Sequence, residues 1–223
     1  MSIFEPTLLA TSALHAMNPH AGAHALPTDP RELEAAVRAG ERSWRRFPYL
    51  EARYGERGRQ FTSSDIAWLV TLTDFDQTTV DRNVLWLADL ISHRGMPRWI
   101  LEVHLTYLVE ELVNTAPDKA PLYERLRRAA GRLASIRRGY ISDEVTDRLV
   151  AAFETQVAGD GEAGLGEVAR LIVAAVADEA DGVTHAVSSL ESWLTNPARF
   201  SPRWQAAVRA TVQQARVALG RDH

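Results

Sequence analysis

The chain has 223 residues, 46% of them apolar and 24% charged, with a formal charge of −4 and no cysteine. Such a composition is ordinary for a globular protein with a sizeable core. It excludes disulfides, thiolate metal sites, cysteine nucleophiles and thioether-tethered cofactors, and it offers no basic footprint for nucleic acid or an anionic membrane. No apolar run reaches the roughly 18 residues of a membrane span, and no basic segment precedes an apolar N-terminal core, so a cytoplasmic location is the expectation.

Residues 1–28 are rich in Ala, Pro and His with little periodicity and are expected to form a flexible arm, in which His15, His20 and His24 read as solvated residues without acidic partners. The remainder, 29–223, reads as a single all-helical domain with a subdivision near 159–166. Asp29-Pro30-Arg31-Glu32 is a helix start, with Asp as N-cap, Pro at the first position and Glu three residues after the cap. That helix is expected to run towards Arg46, with Pro48 as a breaker. YGERGRQF, at 54–61, reads as a turn before a short buried helix over 65–73. It is a poor phosphate loop, lacking Gly-Lys-Ser/Thr and a preceding strand; Arg53, Arg57 and Arg59 read as a solvated loop, with contact to an anionic group as the alternative.

Asp76 caps a longer helix through His93, with Val80, Val84, Leu87 and Ile91 on one stripe and Trp86 and Leu90 beside it. After Gly95, Pro97 opens a helix to about Val113, placing Ile100, Leu101, His104, Leu105, Leu108 and Leu112 on one face. Pro117 or Pro121 opens the next, apolar at Leu122, Leu126, Ala129, Leu133, Ile136 and Tyr140. Arg125, Arg127, Arg128, Arg132, Arg137 and Arg138 form its outer face, read as solvated. Ser142 caps a helix to Val157, and GDGEAGLG at 159–166 reads as a linker. A long helix is expected over 165–194, with Asp178, Asp181 and His185 at i, i+3 and i+7 on one face. Ser201-Pro202 caps the last helix.

Pro-Arg-Trp occurs at 97–99 and 202–204, and at the same offset Asp76 matches Asp181, Thr79 matches Thr184, Leu85 matches Leu190 and Arg94 matches Arg199. An internal helix-pair duplication would produce this, and so would shared packing rules. Both tryptophans read as wedges between helices.

The chemistry turns on His104. A histidine on an apolar stripe is either a core residue satisfied by a carbonyl or carboxylate, or an axial ligand to haem iron. For haem, Leu101 and Leu108 on its own stripe and Trp86 nearby would supply the slot, with arginines for the propionates. A carboxylate metal site at His185, Asp178 and Asp181, with Glu110 and Glu111 in reserve, is the alternative, although no buried-looking Glu-x-x-His occurs. No Gly-x-Ser-x-Gly or Gly-x-Gly-x-x-Gly is present, and nothing marks the chain as an enzyme.

The run 80–112, VDRNVLWLADLISHRGMPRWILEVHLTYLVEEL, resembles the helical domains of bacterial sensory proteins, in particular the non-haem globin domains of stressosome sensors and the phycobiliprotein-related globins that accompany bilin synthesis. The resemblance implies a globin-like fold with His104 in the place of the proximal ligand and a haem or other non-covalent tetrapyrrole as cofactor. The final helices, the Pro-Arg-Trp repeat and the lack of a distal histidine depart from that pattern. The expectation is therefore an all-α protein of about eight helices, globin-like or an orthogonal bundle. It would act as a ligand-binding sensory or carrier protein, or as a ligand-free homodimeric module that regulates a protein partner.

Overall fold

The computed structural model describes residues 26–159 and 165–219, so His15, His20 and His24 and most of the expected arm lie outside the described residues. Among the described residues nine α-helices follow one another and there is no strand: α1 Pro30–Arg46, α2 Pro48–Thr71, α3 Gln77–Ser92, α4 Arg98–Thr115, α5 Ala120–Tyr140, α6 Asp143–Val157, α7 Val168–Ala180, α8 Ala186–Leu194 and α9 Pro202–Leu219. Short 3-10 turns at Leu72–Asp74 and Pro117–Lys119 tighten two of the joints. None of these helices is long and apolar enough to cross a membrane.

The helix starts follow local chemistry. Asp29, Asp76 and Ser142 each accept a backbone N–H of the first turn, from Arg31, Thr79 and Val145 respectively, satisfying donors that a helix cannot pair internally. Asp29 also takes Arg31 and Lys119 as ion partners, and the Tyr123 hydroxyl donates to Glu32 at 2.8 Å, so the start of α1 is tied to the start of α5.

Two helices each centre a cluster of apolar side chains. α4 places Leu101, Leu105, Leu108, Val109 and Leu112 in a first cluster, with α1, the second half of α2, α3 and α5 around it. α7 is buried from Val168 to Asp178 and centres a second cluster with α6, α8 and α9. Trp99 and Ile100, at the start of α4, belong to this second cluster. A run of aromatic contacts crosses the same ground, from Tyr49 to Trp193 at 5.3 Å, Trp193 to Phe200 at 5.1 Å and Phe200 to Trp204 at 5.5 Å.

Two sequence expectations fail here. The break expected over 54–61 is confined to Gly55, where φ +52° and ψ −152° separate two helical segments of α2; from residue 56 on the stretch is helical rather than a turn. The stripe Tyr54, Gly58, Phe61/Thr62, Asp65/Ile66, Leu69 keeps one helical face turned inward, which outweighs the low helix propensity of Gly58. The long helix over 165–194 does not form either. α7 stops at Ala180 in a Schellman turn, where the Val183 N–H reaches the Asp178 carbonyl, the Gly182 N–H reaches that of Glu179, and Gly182 sits at φ +95°. α8 restarts after His185, so Asp178, Asp181 and His185 share no helical face.

Both Pro-Arg-Trp runs do open a helix, α4 and α9, and both tryptophans are buried against aromatic rings, Trp99 on Phe47 and Trp204 on Phe153 and Phe200. The arginines differ: Arg98 is buried in an ion-pair cluster, while Arg203 is exposed and donates to the Gln156 carbonyl.

Candidate ligand cavity

α2 packs chiefly on α1 and faces α3 and α4 across a cavity of about 500 Å3. Its walls are mostly apolar: Leu50, Phe61, Ile66 and Leu69 from α2, Leu87, Leu90 and Ile91 from α3, and Ile100 and Leu101 from α4. The first turns of α2 are pinned beside it to the joint between α3 and α4. The Tyr49 hydroxyl donates to the Gly95 carbonyl at 2.6 Å, and the Tyr54 hydroxyl to the Arg94 carbonyl at 2.7 Å.

Two polar side chains of the wall are incompletely satisfied. His104 is 5% exposed; its Nδ1 lies 2.8 Å from the Ser43 hydroxyl of α1, and its Nε2 is buried with no partner. If Nδ1 donates to Ser43, Nε2 holds a free lone pair; if Ser43 donates, Nε2 carries an unpaired N–H. Burial lowers the imidazole pKa to about 4, so the ring is neutral at pH 7. Trp44, also on this wall, has its indole N–H buried and unpaired. A buried polar group without a partner costs about 1–3 kcal/mol, and here two of them border one space. Because Nε2 is buried, a ligand atom reaches it only if a neighbouring wall side chain gives way.

Leu101 lines the cavity with His104. Trp86 and Leu108 do not: Trp86 is 57% exposed against Trp68, and Leu108 is packed within the core away from the cavity. Both follow from helix geometry. Leu108 is one turn beyond His104 along the axis and is buried in the first cluster, while Trp86 falls beside the buried stripe of α3. The α2 wall was not expected from the sequence, which showed Arg57 only as one of three arginines able to meet an anion from a loop. The helical stripe from Tyr54 to Leu69 was the signal that could have found it.

The carboxylates proposed as metal ligands are engaged otherwise. Asp178 accepts the Arg98 backbone N–H at 2.8 Å and the Ser92 hydroxyl at 2.7 Å. Asp181 accepts the Arg98 guanidinium at 2.5 Å and the Tyr140 hydroxyl at 3.0 Å, with Asp89 as the second ion partner of Arg98. His185 is exposed and apart from them. Glu110 and Glu111 pair with Arg42, and Glu111 with Arg38 as well. Among the described residues no group of three or more His, Asp or Glu is placed to hold a metal ion.

No protein-family model, curated protein or solved structure matches this chain.

Proposed function

We propose that this chain is a non-enzymatic binding protein, a sensor or carrier, that takes a small, largely apolar ligand between α1, α2, α3 and α4. The observation that carries the reading is the pair of buried, unpaired polar atoms, His104 Nε2 and Trp44 Nε1, on the wall of one apolar cavity. Few convergent polar groups in an apolar space of this size are the usual make-up of a ligand site.

Haem is the concrete candidate. The donor chemistry fits: a neutral imidazole whose other nitrogen is held by Ser43, with Arg57 and Arg94 on the same cavity for the propionates. His104 would be the axial ligand, and the bound iron would supply gas binding or electron transfer. The direct experiment is an ultraviolet–visible titration of the protein with haemin, on wild type and His104→Ala. A sharp Soret band lost in the variant is the expected result for haem. A spectrum of free haemin in both removes haem, and binding of the neutral apolar dye Nile red then decides whether the cavity takes any ligand.

A second reading draws on Trp86, more than half exposed on α3 beside Trp68. There the chain is a ligand-free interaction module that pairs with itself or another protein through this face. It predicts sedimentation as a dimer, lost in Trp86→Ala, and no Nile red binding.

A further inference from the structure

We propose that the ligand of the α1–α4 cavity is an apolar carboxylic acid, with its carboxylate held by Arg57 and Arg94; this rests on the ligand-binding reading above. Several arginines on the neighbouring helices are committed to carboxylates: Arg38 and Arg42 to Glu111, Arg46 to Glu167, Arg59 to Glu51, while Arg53 is committed to the Tyr49 hydroxyl. Arg57 of α2 and Arg94, just past α3, both line the cavity and have no ion partner among the described residues. Arg57 lies over the Phe61 ring at 5.8 Å, and the Arg94 backbone carbonyl takes the Tyr54 hydroxyl while its guanidinium is exposed. Two guanidinium groups stand against a single carboxylate, Asp65, among the residues lining the cavity.

The rest of the site sorts the two ends of such a ligand. Guanidinium groups match a carboxylate in geometry and charge, and at the exposed mouth the carboxylate keeps part of its hydration. The deep wall offers no cation, because His104 is neutral and Trp44 can only donate. A carboxylate buried there would go unneutralised, whereas an alkyl or ring body meets leucine and isoleucine side chains. The charged end therefore lies at Arg57 and Arg94 and the apolar body runs towards Trp44 and His104.

The test is displacement of Nile red by dodecanoate, methyl dodecanoate and 1-dodecanol at low salt, on wild type, Arg57→Gln/Arg94→Gln and Leu90→Trp, the last narrowing the cavity. Dodecanoate is expected to displace the dye at roughly tenfold lower concentration than the ester or alcohol, with the preference shrinking as salt is raised. In the double arginine variant the preference of acid over ester and alcohol should vanish. Equal displacement by acid and ester, or a preference that survives in that variant, overturns the assignment of an acid and leaves the cavity as a binding site. No dye binding, or dye binding unaffected by Leu90→Trp, overturns the ligand-binding reading as well.

Discussion

Asp178 of α7 caps α4 at its Arg98: one carboxylate oxygen accepts the Arg98 backbone N–H at 2.8 Å and the Ser92 hydroxyl at 2.7 Å. The residue at the N-cap position is Pro97, which has no side-chain acceptor, so a residue 80 positions along the chain provides the cap. The contact joins the two buried helices around which the apolar clusters form. Arg98 strengthens it from the other side, its guanidinium reaching Asp89 of α3 and Asp181 at the end of α7.

Burial raises the Asp178 carboxyl from its ordinary 3.8 to about 6, against the opposing pull of its hydrogen bonds and of Arg98. Between those pH values the folded chain holds a proton that the unfolded chain has released. Stability from this group is therefore present at low pH and lost as pH rises from about 4 to 6, by on the order of 3 kcal/mol. Asp178→Asn keeps an oxygen that can accept both hydrogen bonds and removes the titration. Relative to wild type it should gain stability between pH 4 and 7, measured by urea midpoints. Asp178→Ala strands both donors and should cost about 2–4 kcal/mol at every pH. Parallel pH profiles for wild type and Asp178→Asn would contradict this account.

His104 titrates in the opposite sense over the same window. Burial holds its pKa at about 4, whereas the unfolded chain takes up the proton near 6.5. Its contribution is intact above pH 6.5 and is lost as pH falls to about 4, again by on the order of 3 kcal/mol. The two groups oppose one another, so the wild-type profile is flatter over pH 4–6.5 than either group alone would make it. Asp178→Asn should therefore steepen the acid loss, His104→Leu should reverse it, and the double variant should lie between. A His104→Leu profile as acid-sensitive as wild type would show that the imidazole is not held neutral in the fold.

Gly95 and Gly182 both occupy left-handed positions after a helix, yet they should differ in what they tolerate. A Cβ on Gly95, at φ +84°, would stand 2.3 Å from the Arg53 guanidinium, which is itself engaged by the Tyr49 hydroxyl at 2.5 Å. A Cβ on Gly182, at φ +95°, meets open space. Gly182→Ala should cost only the conformational term, about 1–2 kcal/mol, and Gly95→Ala should add displacement of Arg53, reaching about 3 kcal/mol. Gly95→Ala should also loosen the Tyr49 latch beside the cavity and weaken Nile red binding. Equal urea midpoints for the two variants would remove the close approach as an explanation.

Much of this fold was legible because the signals were local. The caps at Asp29, Asp76 and Ser142 and the Pro97 break mark where helices start whatever surrounds them, and the stripe from Val80 to Ile91 points one way at any packing. What escaped was set by competition between local and distant terms. Gly55 and Gly58 speak for a turn; Gly55 does break the helix, and burial of Ile66 and Leu69 against other helices keeps the stretch beyond it helical. The apolar run from Leu171 to Ala177 speaks for continuing, and the turn at Gly182 ends it. His104 was visible as an apolar-stripe histidine, but its partner Ser43 lies 61 residues away, and nothing local pairs them. The same holds for Arg137, read as one of six solvated arginines.

Arg137 is in fact held between helices. Its guanidinium donates twice to Glu102 of α4, at 3.0 Å each, and once to Asp143 at the start of α6, at 2.8 Å, with 11% of its side chain exposed and 13% of that of Glu102. Arg138 next to it also reaches Asp143 but is 55% exposed. Arg137→Ala leaves the Glu102 carboxylate poorly solvated and unpaired, which should cost about 3 kcal/mol, whereas Arg138→Ala should cost under about 1 kcal/mol. Because the cost comes from the stranded charge, replacing both partners, as in Glu102→Leu/Arg137→Met, should recover most of the loss. Urea denaturation of the four proteins decides it. If the double variant is as unstable as Arg137→Ala, the pair contributes net attraction across α4 and α5 beyond its own desolvation, and the stranded-charge account is wrong.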